Sequence, residues 1–218
     1  MRVIVTGAAG FIGSHVVDAL LRRGDDVVAI DNLDPAAHAG RPEWLSPEAD
    51  WHFRDVRDQQ TWADLMDGVD AICHQAARVG LGVDFGDAGD YVSNNTVGTT
   101  VMFSALHERG FEGRVVQASS MVVYGEGRYR CSEHGVVRPG PRHPETMDRG
   151  QFEPPCPICG SPLAPEPVGE DAPSDPRNVY AATKLSQEHL GSAWSREHAG
   201  SVTSLRYHNV YGPRMPRD

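Results

Sequence analysis

Short apolar runs recur along the chain at Val3–Val5, Val27–Ile30, Trp51–Arg54, Ala71–His74, Val115–Ala118 and Thr203–Tyr207, and each predicts a strand. Between them, apolar positions spaced three and four apart predict helices over Gly13–Arg23, Gln59–Met66, Tyr91–Arg109 and Val179–His198. The first of these helices carries Val16, Val17, Leu20 and Leu21 behind its opening turn. Strand and helix in alternation describe βα units, so the expected class is α/β, a doubly wound parallel sheet with helices on both faces. No internal repeat is visible. With 218 residues the chain has room for one sizeable core, so a single domain is expected over residues 1–218.

One segment breaks the rhythm. From about 128 to 177 the chain is rich in Pro and Gly, shows little periodicity and holds three of the four cysteines. An irregular stretch of that length inside a domain is expected to be either disordered or stapled. Two close pairs offer a staple: Cys131-x-x-His134 and Cys156-x-x-Cys159, each followed by glycine, at Gly135 and Gly160. Four N/S ligands would close a tetrahedral zinc site with no open position, which is a structural role. Metal binding would also supply the folding energy that the segment lacks. The plainer alternative is a set of free thiols beside a solvated His. Cys73, inside a predicted strand, reads as a small buried hydrophobe.

Charge and leader sequence narrow the class further. A net charge of −10 leaves no basic patch for nucleic acid. No run of about 18 apolar residues exists, so no membrane span is expected. The N-terminus enters the first strand directly, without a signal-like leader, and a cytoplasmic protein with reduced thiols is expected.

Two motifs carry the chemistry. Thr6-Gly7-Ala8-Ala9-Gly10-Phe11-Ile12-Gly13 lies between strand one and helix one, the context that a dinucleotide fingerprint requires. Gly7, Gly10 and Gly13 would allow a tight turn, close approach of a pyrophosphate and close helix–sheet packing. The helix beginning near Phe11 and Ile12 would offer its free N–H groups to the phosphates. Asp31, ending the second strand, can accept hydrogen bonds from a ribose 2′-hydroxyl and would repel a 2′-phosphate, which favours NAD over NADP. Plainer readings are a glycine turn that merely ends a strand, and an Asp that caps the Asn32-Leu33 turn. Downstream, Tyr180-Ala181-Ala182-Thr183-Lys184 sets a phenol and an ammonium four apart on one helix face. A free tyrosine is a poor base at neutral pH, but the Lys184 cation and a nicotinamide ring would favour its phenolate. Singly, Tyr180 and Lys184 also read as a surface pair, and Ser120 as a strand-end hydroxyl.

Together these residues resemble the extended short-chain dehydrogenases/reductases, in the branch of nucleotide-sugar epimerases and dehydratases, with a Rossmann-type fold. The resemblance extends to Asp55-Val56 and Asn32 near the adenosine, His74-Gln75-Ala76-Ala77 after strand four, and Asn95 within Asn94–Thr99 as a structural asparagine. It implies that Ser120, in Ser119–Gly125, is the catalytic hydroxyl beside Tyr180 and Lys184. Arg206–Pro213 resembles the segment leading to the sugar-nucleotide pocket, from about residue 206 to 218, with His208 where relatives often have Phe. By the same resemblance Tyr207 borders the cofactor, and Ser120, Met121, Tyr180 and Asn209 face the sugar. Dehydratases of the family follow the catalytic hydroxyl with an Asp-Glu pair, whereas Met121 and Val122 stand here, neither able to move a proton. That implies a 4-epimerase acting through a transient 4-keto sugar, on a dTDP- or UDP-sugar. A sugar-nucleotide dehydrogenase or reductase, and a non-catalytic NAD-binding or redox-sensing protein, stay open as alternatives. Expected partners are a nucleotide-sugar substrate and a second copy of the chain, with no nucleic acid and no membrane. Relatives carry a C-terminal lobe over the sugar nucleotide, and most of it is expected to be absent from this chain, with weak turnover as the consequence.

Asp31 generates the first test. NAD should bind at least tenfold more tightly than NADP, and Asp31→Ala should narrow that gap. Parallel titrations of both cofactors measure it; equal or tighter NADP binding would remove Asp31 from the ribose site.

Overall fold

The computed structural model describes residues 1–80 and 84–216. The chain divides into two compact units, one of residues 1–120 with 178–218 and one of residues 121–177. The first unit carries strands β1 (Arg2–Thr6), β2 (Asp26–Ile30), β3 (Asp50–His52), β4 (Ala71–His74), β5 (Arg114–Ser120) and β9 (Ser201–Tyr207). Its helices are α1 (Phe11–Arg22), α2 (Gln59–Leu65), α3 (Ala88–Tyr91), α4 (Gly98–Glu108) and α6 (Val179–Glu197). A π turn at Val92–Val97 joins α3 to α4, where the sequence predicts one continuous helix. Such turns are often found at functional positions. This one carries the fully buried Asn95.

The sheet runs in the order β3-β2-β1-β4-β5-β9, and every neighbouring pair is parallel. Side chains of successive strand residues point to opposite faces. Accordingly Val3, Val5, Val27 and Ala29 pack beneath Val17 of α1. Ile4, Val28, Ile30, Ile72 and Val115 form the other face, covered by Trp62, Met102, Phe103 and Trp194 from α2, α4 and α6. Both faces are therefore buried, the doubly wound Rossmann-type arrangement that strand and helix alternation predicts. Chain order reverses at β1, with β2 and β3 on one side and β4, β5 and β9 on the other. The crevice at the carboxyl ends of strands flanking such a reversal is where open α/β sheets bind ligands.

The second unit holds more regular structure than its composition suggests. Strands β6 (Arg128–Cys131), β7 (Gly135–Val137) and β8 (Ala164–Glu166) form an antiparallel sheet in the order β7-β6-β8, with a short helix α5 (Pro144–Met147) between β7 and β8. Strands of three or four residues are too short to show a period in sequence, which is why this stretch reads as irregular. Its core is small: Tyr129, Cys131, Val137, Cys156 and Leu163.

Candidate active site and thiol cluster

Three glycines shape the turn after β1, and they act differently. Gly7 has φ +62, and a Cβ there would meet the Ala76 backbone nitrogen at 2.7 Å, so β1 and the segment after β4 touch backbone to backbone. A Cβ on Gly13 would overlap the Gly7 carbonyl, so Gly13 lets α1 close onto the turn. At Gly10 the nearest atom to an added Cβ is the Gly7 oxygen at 3.3 Å, which leaves the mouth of the turn open. Gly10 is also the N-cap of α1 and contributes no side-chain cap, so Phe11 and Ile12 begin the helix with amides available to an anion. The cradle fits a dinucleotide pyrophosphate.

Asp31 sits beside it, buried, at the end of β2. One carboxylate oxygen accepts from Ala9 N at 2.9 Å and the other from Leu33 N at 2.8 Å. His38 Nε2 also lies 3.5 Å from Oδ1, so Oδ2, which among the described residues accepts only from Ala9 N, is the oxygen with a lone pair that a ribose hydroxyl could use. Asn32 donates to Asp55 at 3.2 Å. Arg57 grips the Asp55 carboxylate through Nη2 at 2.6 Å and Nε at 2.9 Å, and holds its pKa below the usual carboxylate range. Val56 accepts from the Trp62 indole at 2.8 Å, which anchors this loop to α2. Sequence reasoning does not single out Arg57, although its place two residues after Asp55 is the available signal.

The segment after β4 is fastened through one hydroxyl. Thr6 Oγ1 accepts from Gln75 N at 3.2 Å and Ala76 N at 3.1 Å, and lies 2.8 Å from His74 Nδ1. With both lone pairs used, Thr6 donates its proton to Nδ1, so Nε2 carries the imidazole hydrogen and donates to Thr99 Oγ1 at 3.0 Å. Gln187 on α6 also donates to Thr99, at 2.6 Å. Burial, with the nearby Lys184 charge adding to it, pushes the His74 pKa down to about 3. Ala77 is half-buried along the same segment. Asn95 continues the fastening: its Oδ1 accepts from Arg78 N at 2.7 Å, and its Nδ2 donates to Arg78 O at 3.0 Å and Thr183 Oγ1 at 2.9 Å.

Helix α6 starts at Asn178, whose side chain accepts from Ala181 N at 2.8 Å. The cap fixes the first turn, and with it Tyr180 and Lys184. Lys184 is buried and its Nζ donates to Ala118 O at 2.9 Å; burial lowers its pKa to about 7. Its Nζ lies 5.8 Å from the Tyr180 ring centroid. Ser120, at the end of β5, hydrogen-bonds the Tyr180 phenol. The sequence leads one to expect that Lys184 and a nicotinamide ring together depress that phenol; the chain's own groups by themselves push it upward. Burial raises it, the Ser120 bond pulls part of the way back, and the Tyr91 ring 6.1 Å away adds to the rise. Lys184 is committed to a carbonyl and stands at the ring face, so its charge acts weakly on the hydroxyl. Tyr207, the register partner of Ser120, receives a long hydrogen bond from Gln75 at 3.5 Å. Asn209 is exposed two residues beyond β9, and Met121 opens the 3-10 turn Met121–Tyr124 directly after Ser120.

A lysine and a tyrosine share one helix face, a serine bonds the phenol, and a glycine cradle lies at the strand reversal; these are group types that hydride and proton transfer can use. Comparison with known proteins shows the family. A model of the NAD dependent epimerase/dehydratase family matches residues 3–146 and 157–218. The chain belongs to that family. It is 35% identical over 217 residues to dTDP-L-rhamnose 4-epimerase of Burkholderia thailandensis, covering 97% of this chain and 58% of that protein. Identity to dTDP-glucose 4,6-dehydratase of Streptomyces niveus is 32%, over 98% of this chain and 55% of the relative. Among solved structures, UDP-glucose 4-epimerase of Thermus thermophilus in complex with NAD superposes with a TM-score of 0.73 at 29% identity, covering all of this chain and 58% of that one. The chain therefore spans a little over half the length of these relatives. NAD is the cofactor of the family, and no helix among the described residues is long and apolar enough to cross a membrane.

The second unit has a cluster of its own. Cys131 Sγ lies 3.5 Å from His134 Nδ1 and 3.7 Å from Cys159 Sγ, and Cys156 Sγ lies 3.9 Å from the same imidazole nitrogen. All four ligand atoms fall within 4.8 Å of one another. Gly135 at φ +68 closes the β6–β7 hairpin that carries the first pair. Gly160, at φ +74, donates its amide to Cys156 O and closes the second turn. The sulfurs are too far apart for a disulfide, whose S–S bond is about 2.05 Å. The family match skips residues 147–156, from the last residue of α5 to Cys156 of the cluster itself.

His74 supplies a stability test. In the folded chain it stays neutral down to about pH 3, while in the unfolded chain it takes a proton below about 6.5. Its contribution is fully present above pH 6.5 and is lost as pH falls towards 3. Between pH 6.5 and 5, urea unfolding should show stability falling at up to about 1.4 kcal/mol per pH unit, and His74→Gln should flatten that slope. An unchanged slope in the variant would rule His74 out as the source.

Proposed function

We propose that the protein is an NAD-dependent nucleotide-sugar 4-epimerase that works through a transient 4-keto sugar on a dTDP- or UDP-sugar. The observation that carries this reading is the Ser120–Tyr180–Lys184 arrangement followed directly by Met121 and Val122. With the positive nicotinamide ring beside it to offset burial, Tyr180 would take the proton of the sugar 4-hydroxyl as phenolate, and Ser120 would donate to the same oxygen and steady the developing ketone. The cradle of Gly7, Gly10 and Gly13 would hold NAD, which would supply the reversible hydride chemistry at C4 of the sugar. Lys184, anchored on Ala118 O, stands at the face of the Tyr180 ring. Eliminating water would demand a further acid and base; the side chains at 121 and 122 can be neither, which supports epimerase over dehydratase chemistry. Nucleotide-sugar specificity rests on the 4-epimerases in the comparisons, named for dTDP-L-rhamnose and UDP-glucose. The reading includes a homodimer in the reducing setting of the cytoplasm, where cysteines form no disulfides.

A panel of dTDP- and UDP-sugars, incubated with NAD-loaded protein and followed by NMR, should give inversion at C4 without net NADH. Tyr180→Phe should abolish turnover while NAD stays bound, and Ser120→Ala should cost about 10²–10³ in rate. Net NADH release would favour a dehydrogenase. A 4-keto-6-deoxy product would favour a dehydratase.

The Cys131, His134, Cys156 and Cys159 cluster is proposed as a structural zinc site. Zinc–sulfur bonds of about 2.3 Å in a tetrahedron place sulfurs roughly 3.8 Å apart, close to the 3.7 Å between Cys131 and Cys159. Four such ligands leave no position for substrate, and both cysteines in the unit's core belong to the set. Elemental analysis of protein purified without added metal should find one zinc per chain. Chelation should strip amide protection from β6, β7 and β8 and leave β1, β4 and β5 protected. Negligible zinc, with all three thiols reacting freely in the folded protein, would return the cluster to free thiols.

A further inference from the structure

Helix α6 meets β5 at four successive strand residues, beginning with Gln117, whose Nε2 donates to Gln187 O at 3.0 Å. Lys184 donates to Ala118 O at 2.9 Å, and Tyr180 meets Ser120. Between those two, the Ser119 hydroxyl donates to Glu188. The Glu188 carboxylate also receives both arms of Arg206, Nε at 3.0 Å and Nη2 at 2.8 Å. Parallel pairing of β5 with β9 makes Ser119 and Arg206 direct register partners, so one carboxylate on the helix bridges two adjacent strands. Tyr180, Lys184 and Glu188 recur every four residues and lie along one helix face, about 12 Å from first to last. Burial works to neutralise Glu188, but the Arg206 and Ser119 bonds and the His189 charge outweigh it and keep the carboxylate ionised.

Apolar packing alone lets a helix slide or rotate on a sheet at small cost, because dispersion contacts are weak and undirected. A largely buried carboxylate held by three donors permits neither, since any slip leaves a charge unpaired. We propose that Glu188 is a positioning residue whose clasp on Ser119 and Arg206 sets where α6 stands over β5, and so the distance from the Tyr180 phenol to the Ser120 hydroxyl. This rests on Tyr180 being the proton-transfer group. Misplacement by 1 Å at such a site can cost about 10² in rate.

The test reads the phenol directly. Ultraviolet absorbance of phenolate is titrated in NAD-loaded protein, with Tyr180→Phe as the blank and circular dichroism as the check on folding. Groups facing Tyr180 are Ser120 from β5, Lys184 from α6 and the Tyr91 ring from α3; Arg206, Ser119 and His189 face Glu188. Removing the negative charge of Glu188 would by itself favour phenolate and lower the midpoint. Losing the alignment with Ser120 raises it. Glu188→Gln should therefore raise the midpoint and cut the phenolate fraction at neutral pH by about tenfold. Arg206→Gln should move it the same way. If Glu188→Gln fails to fold, Ser119→Ala, which removes one donor and no charge, should show the same upward sign. A midpoint that falls or stays still in folded Glu188→Gln, or in Ser119→Ala where that stands in, overturns the inference while the role of Tyr180 stands. A wild-type signal no different from the blank below the ordinary tyrosine range overturns both.

Discussion

A single threonine hydroxyl ties the glycine turn after β1 to the helix that carries Tyr180 and Lys184. Thr6 Oγ1 takes the amides of Gln75 and Ala76 and gives its own proton to His74. From His74 the chain of bonds runs through Thr99 to Gln187 on α6. Thr6, His74, Thr99 and Gln187 are all buried, so each bond left unmade would cost the desolvation of a polar group. The network therefore works only with a neutral imidazole of one tautomer, which burial enforces. Through it, the glycine turn after β1, the segment after β4 and the helix carrying Tyr180 are held as one piece.

That piece is assembled where the strand order reverses. Because β1 lies between β2 and β4, the carboxyl ends of two neighbouring strands diverge into helices on opposite faces and leave a crevice. The glycines are the local condition for using it. Gly7 lets two backbones touch, Gly13 lets the helix close, and Gly10 leaves the mouth open for phosphate. Opposite the crevice, α6 is fixed by a graded set of polar contacts: a capped first turn, a lysine on a carbonyl and a carboxylate on two strands. The positions of the reacting groups follow from those contacts more than from the apolar core beneath.

A different balance of forces holds the second unit. Residues 121–177 bury a core of five, two of them cysteines. Domains so poor in apolar burial normally need disulfides or metal to hold together. Cys131, His134, Cys156 and Cys159 group their donor atoms within 4.8 Å of one another in this unit, and the zinc proposed above would act there as a staple. The short antiparallel sheet is what two knuckle-like turns, closed by Gly135 and Gly160, bring together.

Much of this was present in the order of residues alone. Period and run length determine the six strands of the main sheet and its long helices, because a strand buried on both faces has little freedom in composition. Glycine spacing, Asp31 and the Tyr180–Lys184 step were legible because each chemistry needs particular residues at particular separations. Tertiary structure decided what sequence separation hides. His74, Thr99 and Gln187 are far apart along the chain and meet only when β4, α4 and α6 pack. Arg206 and Ser119 become neighbours only through the β5–β9 register, and only then does Glu188, four residues past Lys184, acquire partners. The direction of the Tyr180 shift belongs there too. Sequence shows which charge is nearby, while burial and the bond to Ala118 decide how little of that charge the phenol feels.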